Sequence, residues 1–234
     1  TTEIYTLSLH DALPILYRVL CLYNLLNKWN NDSKTRKGEG FEQPKKVNEH
    51  WHIDIKYVNF HGAFLFLICI IDGFSRYIIN HGLRRSMQEY DVELVLQQAL
   101  EKYPDAKPRI ISDNGTQFVS RDFKQFLSFA NLTHVRTSVA YPQSNGKIER
   151  FNKTIKNECL TKESFIDFDD ATKQISSYIN FYNTKRLHSA ISYLTPEDVF
   201  LGREKERIKI RCIKLNKAKT ARKLFHQNTV SCVA

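Results

Sequence analysis

The order of hydrophobic patterns along this chain predicts an α/β fold, with a mixed five-stranded sheet flanked by helices. Three observations lead to that prediction. Three β-rich runs follow one another, helical and strand-like periods then alternate, and helical periods alone continue towards the end. The 234 residues, 42% hydrophobic and 12% aromatic, are enough for one compact domain with appendages.

The first three runs predict an antiparallel meander, because they are short, rich in β-branched and aromatic residues, and joined by tight turns. In order they are WHIDIKYVNF (51–60), AFLFLICIID (63–72) and RYIINHGL (76–83), the first turn being His61-Gly62. Two more strands, which complete the predicted sheet, are RIIS (109–112) and THVRT (133–137).

Helices are predicted where apolar residues recur at helical spacing after a capping residue. A capping box of Ser86 and Glu89 begins the first helix, and Ser120 caps the second. A long helix is predicted over about 147–160, after the loop SVAYPQSNG. Two later helices follow, one with an apolar stripe and a short one that starts at Thr195-Pro196; the stripe consists of Ala171, Ile175, Tyr178, Ile179 and Tyr182.

The two ends of the chain differ in composition from its middle. Residues 1–15, TTEIYTLSLHDALPI, resemble the translation of a DNA sequencing adapter, so we expect them to be non-native. Residues 16–43 are interpreted as a remnant helix followed by a polar linker, and residues 44–201 as the core domain. Residues 202–234 form a basic tail, with ten Lys or Arg against two Glu.

The charge and cysteine content indicate a class of partner and a compartment. A formal net charge of +10 favours a polyanionic partner, nucleic acid before an acidic membrane. The basic tail is either a solvated disordered segment or a DNA contact, and the sequence leaves both open. Five cysteines without a C-x-x-C pair predict neither a disulfide framework nor a zinc ribbon, and favour a reducing, cytoplasmic location. The longest apolar run, 63–71, is far shorter than the roughly 20 residues that span a bilayer, so no membrane segment is expected.

Three acidic residues are candidates for metal-assisted chemistry on phosphodiesters. Asp54 lies within an apolar strand, Asp113 directly follows the strand 109–112, and Glu149 lies on the long helix. Each alone has an ordinary structural explanation: a polar position on a sheet, a turn former and a solvated helix residue. Together, on three rigid elements, they offer the oxygen ligands that two divalent ions about 4 Å apart need for phosphoryl transfer.

The segments around these acidic residues carry a family resemblance. WHIDIKYV, ISDNGTQF and SNGKIERFNKTIKNE, with 35 residues between Asp113 and Glu149, resemble the catalytic core of DDE transposases and retroviral-type integrases. The resemblance is nearest to bacterial insertion-sequence transposases of the integrase-core class. The later segment FYNTKRLHSAISYLTPEDVF looks like the end of the same core, so that the resemblance covers about residues 44–200.

The resemblance implies a ribonuclease H-like fold in which Asp54, Asp113 and Glu149 are catalytic. These carboxylates would bind two Mg²⁺ ions, for which Mn²⁺ can substitute. DNA, as mobile-element ends and as target, is the implied partner, and copies of the chain are expected to assemble on it as a homo-oligomer near the bacterial nucleoid. The candidate DNA contacts are Asn145, Lys153, Lys156 and Arg186; for Arg186, packing at a helix end is an equally good explanation.

The leading functional hypothesis is therefore a DDE-type polynucleotidyl transferase that cleaves DNA and transfers strands in integration and transposition. One alternative is a ribonuclease H-like nuclease that only hydrolyses. The other is an inactive, truncated remnant that binds nucleic acid through its basic tail. The 35-residue spacing and the lysines on the glutamate helix favour strand transfer, and three intact carboxylates argue against decay. The upstream helix-turn-helix or zinc-binding region of the family is not found, which agrees with the expected truncation.

Overall fold

The computed structural model describes residues 42–137, 145–161 and 164–231, with side chains up to residue 222, and the single residue Val19. The chain divides into two compact units, Thr1–Phe41 and Glu42–Ala234. The predictions for residues 1–15 and for the remnant helix and linker, 16–43, fall outside the described residues, except at Val19 and at residues 42–43. The sheet, the helices that cover it and the candidate site all belong to the second unit.

Five strands form one mixed sheet, as predicted. The meander pairs antiparallel, whereas the fourth strand pairs parallel with both the first and the fifth. The sheet order is β3-β2-β1-β4-β5, and the strands are β1 His50–Phe60, β2 Ala63–Asp72, β3 Ile78–Arg84, β4 Arg109–Ser112 and β5 Thr133–Arg136.

The turns of the meander follow from backbone conformation. His61 and Gly62 both have positive φ, 47° and 83°, which matches the twist of a tight hairpin and confirms the predicted turn. The sequence predicted that the third strand begins at Arg76, but it begins at Ile78. The reason is that Asp72 accepts hydrogen bonds from Ser75, and Arg76 then takes a left-handed φ of 68°, so the turn extends two residues further.

The predicted helices of the second unit are all present, and two further helices, Thr116–Val119 and Glu204–Ser231, were not predicted. In chain order the helices are α1 Glu89–Lys102, α2 Thr116–Val119, α3 Arg121–Phe129, α4 Gly146–Ile155 with a π-helical turn Lys156–Leu160, α5 Phe168–Thr184, a 3₁₀ turn Ser189–Ile191, α6 Pro196–Phe200 and α7 Glu204–Ser231. Ser120 caps α3 as expected, since its hydroxyl accepts from the Phe123 N–H at 3.1 Å. The predicted cap of α1 is wrong: the N-cap is Gln88, because Asp91 rather than Glu89 accepts from its backbone N–H.

The core has one layer on each face of the sheet. On one face, α1 and α3 cover Trp51, Ile53 and Ile55 of β1. On the other face, α4 and α5 pack on β2 and on the end of β1. Because side chains alternate along a strand, His52 and Asp54 point towards the α4 layer.

The basic tail is helical over Glu204–Ser231, which differs from the disordered alternative. Its first turns are tied to the core: Arg207 donates to the Asp198 carboxylate at 2.9 Å, and Arg211 donates to the Ser192 and Tyr193 carbonyls. Its side chains beyond Arg211 are exposed as far as residue 222. Across the described ranges, no helix is both long and apolar enough to cross a bilayer.

Candidate active site

The two aspartates stand side by side on parallel strands. β1 and β4 pair with His52 opposite Ile111. Asp54 and Asp113 each come two residues after that pair, so the register places them at the same level and on the same face. Asp113 follows the last residue of β4, where a buried strand becomes a turn. The parallel pairing therefore brings together two residues that are far apart in sequence.

Helix α4 brings the glutamate to the same face. The Asn152 side-chain amide donates to Asp54 Oδ2 at 2.7 Å, which joins the helix directly to β1. Glu149 precedes Asn152 by three residues and so lies on the same side of α4, with its side chain exposed. The neighbouring apolar side, about a third of a turn from Glu149, holds the helix on the core, with Ile148 and Phe151 no more than 1% exposed.

The surroundings of Asp54 disfavour the charged form of its carboxyl group. Burial raises its pKa to about 6, and the negative charges of Asp113 and Glu149 act in the same direction. The Ile55 N–H, which donates to Oδ1 at 2.9 Å, opposes this only in part. Within the described ranges Asp54 forms no ion pair. The three carboxylates therefore act on one another electrostatically, and a cation would relieve their repulsion.

The turn after β4 fixes Asp113. Its Oδ1 accepts from the Gly115 N–H at 2.9 Å, and Asn114 donates to the Thr137 carbonyl, which links the turn to the end of β5. A Cβ at Gly115 would lie 2.5 Å from the Gln117 amide nitrogen, so any other residue there would displace the end of the Gln117 side chain. The turn-forming explanation of Asp113 is thus correct, and its second oxygen has no hydrogen bond to another described residue.

The donor set suits a hard divalent cation. Three carboxylates offer the oxygen ligands that Mg²⁺ prefers, and because burial raises the pKa of Asp54, a bound cation would stabilise its charged form. As the side chains stand, however, no group of three or more His, Cys, Asp or Glu residues within the described part of the chain could hold a metal ion. The convergence of all three carboxylates on shared ions therefore stays a prediction.

The candidate DNA contacts are placed differently from one another. Lys153 and Lys156 are exposed on the side of α4 that carries Glu149. Asn145 is buried, 3% exposed, at the start of α4. Arg186 forms a bidentate ion pair with Glu158 of the π turn, with Nη2 2.6 Å from Oε1 and Nε 2.9 Å from Oε2. Its packing explanation thus has direct support.

Sequence reasoning missed two features of this region. The first is Asn152. It lies three residues after Glu149, so helical spacing could have placed it on the same side of the helix as the glutamate. The second is the cationic side chain of Lys147, near the start of α4. Burial lowers the pKa of Lys147 to about 8, and the charge of Arg76 lowers it further. Burial also lowers the pKa of His52 to about 3, with Lys147 acting in the same direction. Arg76 is distant in sequence, so no local pattern could have indicated it.

Comparison with known proteins identifies the fold. Two family models, both described as integrase core domain, match residues 44–142 and 130–196. The HTLV-2 integrase catalytic core domain in complex with magnesium, in its trimeric form, superposes with a TM-score of 0.53 at 20% identity over 67% of this chain and 98% of that one. The simian T-cell lymphotropic virus intasome, in complex with PP2A regulatory subunit B56 gamma, gives 0.57 at 18% identity, over 78% and 69%. The fold is thus that of the retroviral integrase cores, a ribonuclease H-like fold.

Relatives in sequence come from bacterial insertion elements. An uncharacterized protein of insertion element IS136 from Agrobacterium fabrum is 33% identical over 184 residues, 74% of this chain and 92% of that protein. The transposase for insertion sequence element IS904 from Lactococcus lactis is 28% identical over 194 residues, 78% and 77% of the two chains. A putative transposase for IS150 from Escherichia coli is 28% identical over 152 residues, 64% and 54%. Fold and relatives define the class of integrase-type polynucleotidyl transferases. Within that class, this chain belongs to the integrase core family of insertion-element transposases.

Proposed function

We propose that this chain is the catalytic core of a transposase that cleaves DNA and joins the cut end to a new site, with Asp54, Asp113 and Glu149 as its catalytic residues. The observation that carries the proposal is the state of Asp54. It is a partly buried carboxylate that forms no ion pair with a described residue, it lies level with Asp113, and Asn152 ties it to the glutamate helix. The structural aspartate Asp72, in contrast, accepts four hydrogen bonds, whereas Asp54 accepts two from described residues.

The three carboxylates would hold two Mg²⁺ ions, with Mn²⁺ as a substitute. When bound, such ions activate the attacking oxygen and stabilise the leaving one. The protein contributes the placement of the ligands. Asn152 fixes the orientation of Asp54, the Gly115 N–H fixes Asp113, and the buried side of α4 sets the position of Glu149.

The exposed side of α4 would hold the DNA. Lys153 and Lys156 lie beside Glu149 and can neutralise phosphates that flank the reacting bond. Asn145, at the start of the same helix, and Arg186, at the end of α5, are proposed to support the path of the strand. The partners are the element ends, the target DNA and further copies of this chain assembled on them, at the bacterial nucleoid where that DNA lies.

Joining of a labelled element end to a plasmid, with magnesium or manganese, tests the proposal. Glu149→Gln keeps the shape of the side chain and removes one negative charge. We expect joining and cutting to fall by about a thousandfold or more, since each 1.36 kcal/mol of lost transition-state stabilisation is tenfold. Binding of the element end in EDTA should persist. Glu101→Gln, an exposed glutamate on α1, is the matched control and should remain active.

The products separate the alternatives. Joined products from the wild-type chain support strand transfer, whereas cut ends without joined products would support a nuclease that only hydrolyses. Near-normal joining by Glu149→Gln would remove that residue from the site. An inactive wild-type chain that still binds DNA would favour the remnant.

A further inference from the structure

A groove of about 570 Å³ lies on the other side of α4 from the carboxylates. Its walls are the first half of α4, the end of α5 and the segment 187–193, and Arg76 reaches it from the turn between β2 and β3. We name it the Arg76 groove. On α4, Lys147, Arg150 and Thr154 face it, whereas Glu149 and Lys153 belong to the neighbouring side.

The Arg76 groove carries positive charge that the protein does not neutralise. Four cationic side chains line it: Arg76, Lys147, Arg150 and Arg186. The charge of Arg186 is already paired with Glu158. The other three form no ion pair or side-chain hydrogen bond with any residue that the structure describes.

The nearest acidic group is occupied elsewhere. Asp72 acts electrostatically on both Arg76 and Lys147. Its two oxygens, however, accept hydrogen bonds from the Asn48 and Phe74 N–H groups and from the N–H and hydroxyl of Ser75. Asp72 therefore holds the turn that presents Arg76 and does not pair with the guanidinium.

Two polar atoms at the Arg76 groove lack a hydrogen-bond partner among the described residues, although both are buried. They are Nη1 of Arg76 and Nε2 of His188. Arg76 is also held at a left-handed φ of 68°, a conformation that non-glycine residues seldom adopt. A partly buried guanidinium on a strained backbone, with its Nη1 lacking an acceptor among the described residues, is stabilised when an anion binds to it. These features indicate an anion site rather than a packing contact.

We propose that the Arg76 groove binds a backbone phosphate of DNA, one that lies apart from the phosphodiester at the carboxylates. The inference rests on the proposed function, which supplies a phosphodiester chain at α4. Arg150 and Lys153 are adjacent on the exposed ridge of that helix, so a strand can pass from the carboxylate side over the ridge into the Arg76 groove. Guanidinium and ammonium groups that converge from separate elements suit the several oxygens of a phosphate.

The test measures binding of a short DNA duplex to the full chain in EDTA over a series of salt concentrations, so that catalysis plays no part. Lys147→Gln combined with Arg150→Gln should weaken binding and lower the slope of log K against log salt by about 0.9 for each phosphate that the protein no longer neutralises. Lys147→Arg with Arg150→Lys should retain the wild-type slope. The matched control is Arg121→Gln with Lys124→Gln, an exposed pair at the same spacing on α3, and it should also retain the slope.

A second measurement examines the Arg76 groove without DNA. Inorganic phosphate should raise the melting temperature of the wild-type chain and of the α3 control more than that of the Lys147→Gln, Arg150→Gln variant. Melting without phosphate checks that the variant folds. An unchanged salt slope together with an unchanged phosphate response would overturn the phosphate site. The proposed function would still be tested by the Glu149→Gln assay, which does not involve the Arg76 groove.

Discussion

Asp54 lies at a position that is costly for the folded protein and useful for chemistry. Its folded-state pKa, about 6, lies above the ordinary value of 3.8. For a carboxyl group with a raised pKa, the folded state binds the proton more tightly than the unfolded state does. The charged form therefore destabilises the fold above pH 6, and protonation or a bound cation removes the destabilisation. Functional sites often carry such a cost.

Asp54→Asn should stabilise the protein while it abolishes joining. The amide keeps an oxygen for the Asn152 donor and removes the buried charge. At pH 7 to 8 we expect a gain of about 2 kcal/mol, or a rise of roughly 4–8 °C in melting temperature. The gain should shrink as the pH falls from about 6 towards 4, because wild-type Asp54 then becomes neutral as well.

Magnesium provides the control for this prediction. It should raise the melting temperature of the wild-type chain more than that of Asp54→Asn, since the variant lacks one ligand. Glu101→Gln, on the exposed side of α1, should behave as wild type in both respects. Equal melting temperatures of wild type and Asp54→Asn at pH 8 would mean that a positive charge already compensates Asp54.

At the scale of elements, a single acidic side chain joins α4 to α5. The π turn Lys156–Leu160 carries Glu158, whose carboxylate accepts from Arg186 and, at 2.8 Å, from the Tyr178 hydroxyl. The hydrogen bonds from Arg186 to Glu158 raise the pKa of Arg186, which keeps it charged. The pair fixes the far end of the glutamate helix, while Asn152 fixes its middle.

Removing one partner of this pair should therefore cost stability. Arg186→Met should lower the free energy of unfolding by about 1–2 kcal/mol, because it leaves a partly buried carboxylate without its cation. Glu158→Gln combined with Arg186→Met should cost less than the sum of the single changes. Urea unfolding measures all three variants.

The same variants test whether Arg186 contacts DNA. Because Glu158 already pairs with it, Arg186→Met should change the salt slope of DNA binding less than Lys147→Gln with Arg150→Gln does. A large loss of slope without a loss of stability would contradict this, and would assign Arg186 to the DNA contacts that the family resemblance implied.

Elements whose signal is local were predictable, and contacts between distant segments were not. Alternating and helical periods located all five strands and the helices that cover them, because each pattern reports which face is buried. Gln88 took the place of Ser86 as the cap of α1 because Asp91, one turn further on, accepts from the Gln88 backbone. The helical tail could not be inferred either, since composition alone allows a charged segment to be helical or disordered.

In the candidate site, too, residues with a local signal were predictable and contacts between distant segments were not. Asp54, Asp113 and Glu149 were identified from motifs, and the register of β1 with β4 brings the two aspartates to one level. The sequence could not show that Asn152 holds Asp54, or that Arg76 approaches Lys147 from 71 residues away, because both depend on packing across the sheet. Side chains that complete a site from another element leave no periodic signal.

For the whole molecule, partly buried histidines and the partly buried Asp54 respond to acid in opposite directions. Burial lowers the pKa of His81 and of His188 to about 4. The unfolded state then binds more protons than the folded state between pH 6.5 and 4, so stability falls as the pH falls through that range. The opposite effect comes from the carboxyls whose pKa is raised by burial, which are Asp54, Asp72 and Glu93. They are outnumbered by the described histidines whose pKa burial lowers, which also include His50, His52 and His134.

We therefore expect the free energy of unfolding to decrease from pH 7 to pH 4.5, and His81 to account for a measurable share. His81 lies between the Ser176 hydroxyl, 3.0 Å from its Nε2, and the charge of Lys102, which disfavours protonation further. His81→Gln keeps a polar contact and cannot take up the proton. It should remove about 2 kcal/mol of the loss between pH 7 and pH 4.5, measured by urea unfolding at each pH. If His81→Gln showed the same acid loss as wild type, the protonation that destabilises the fold would have to occur at other groups.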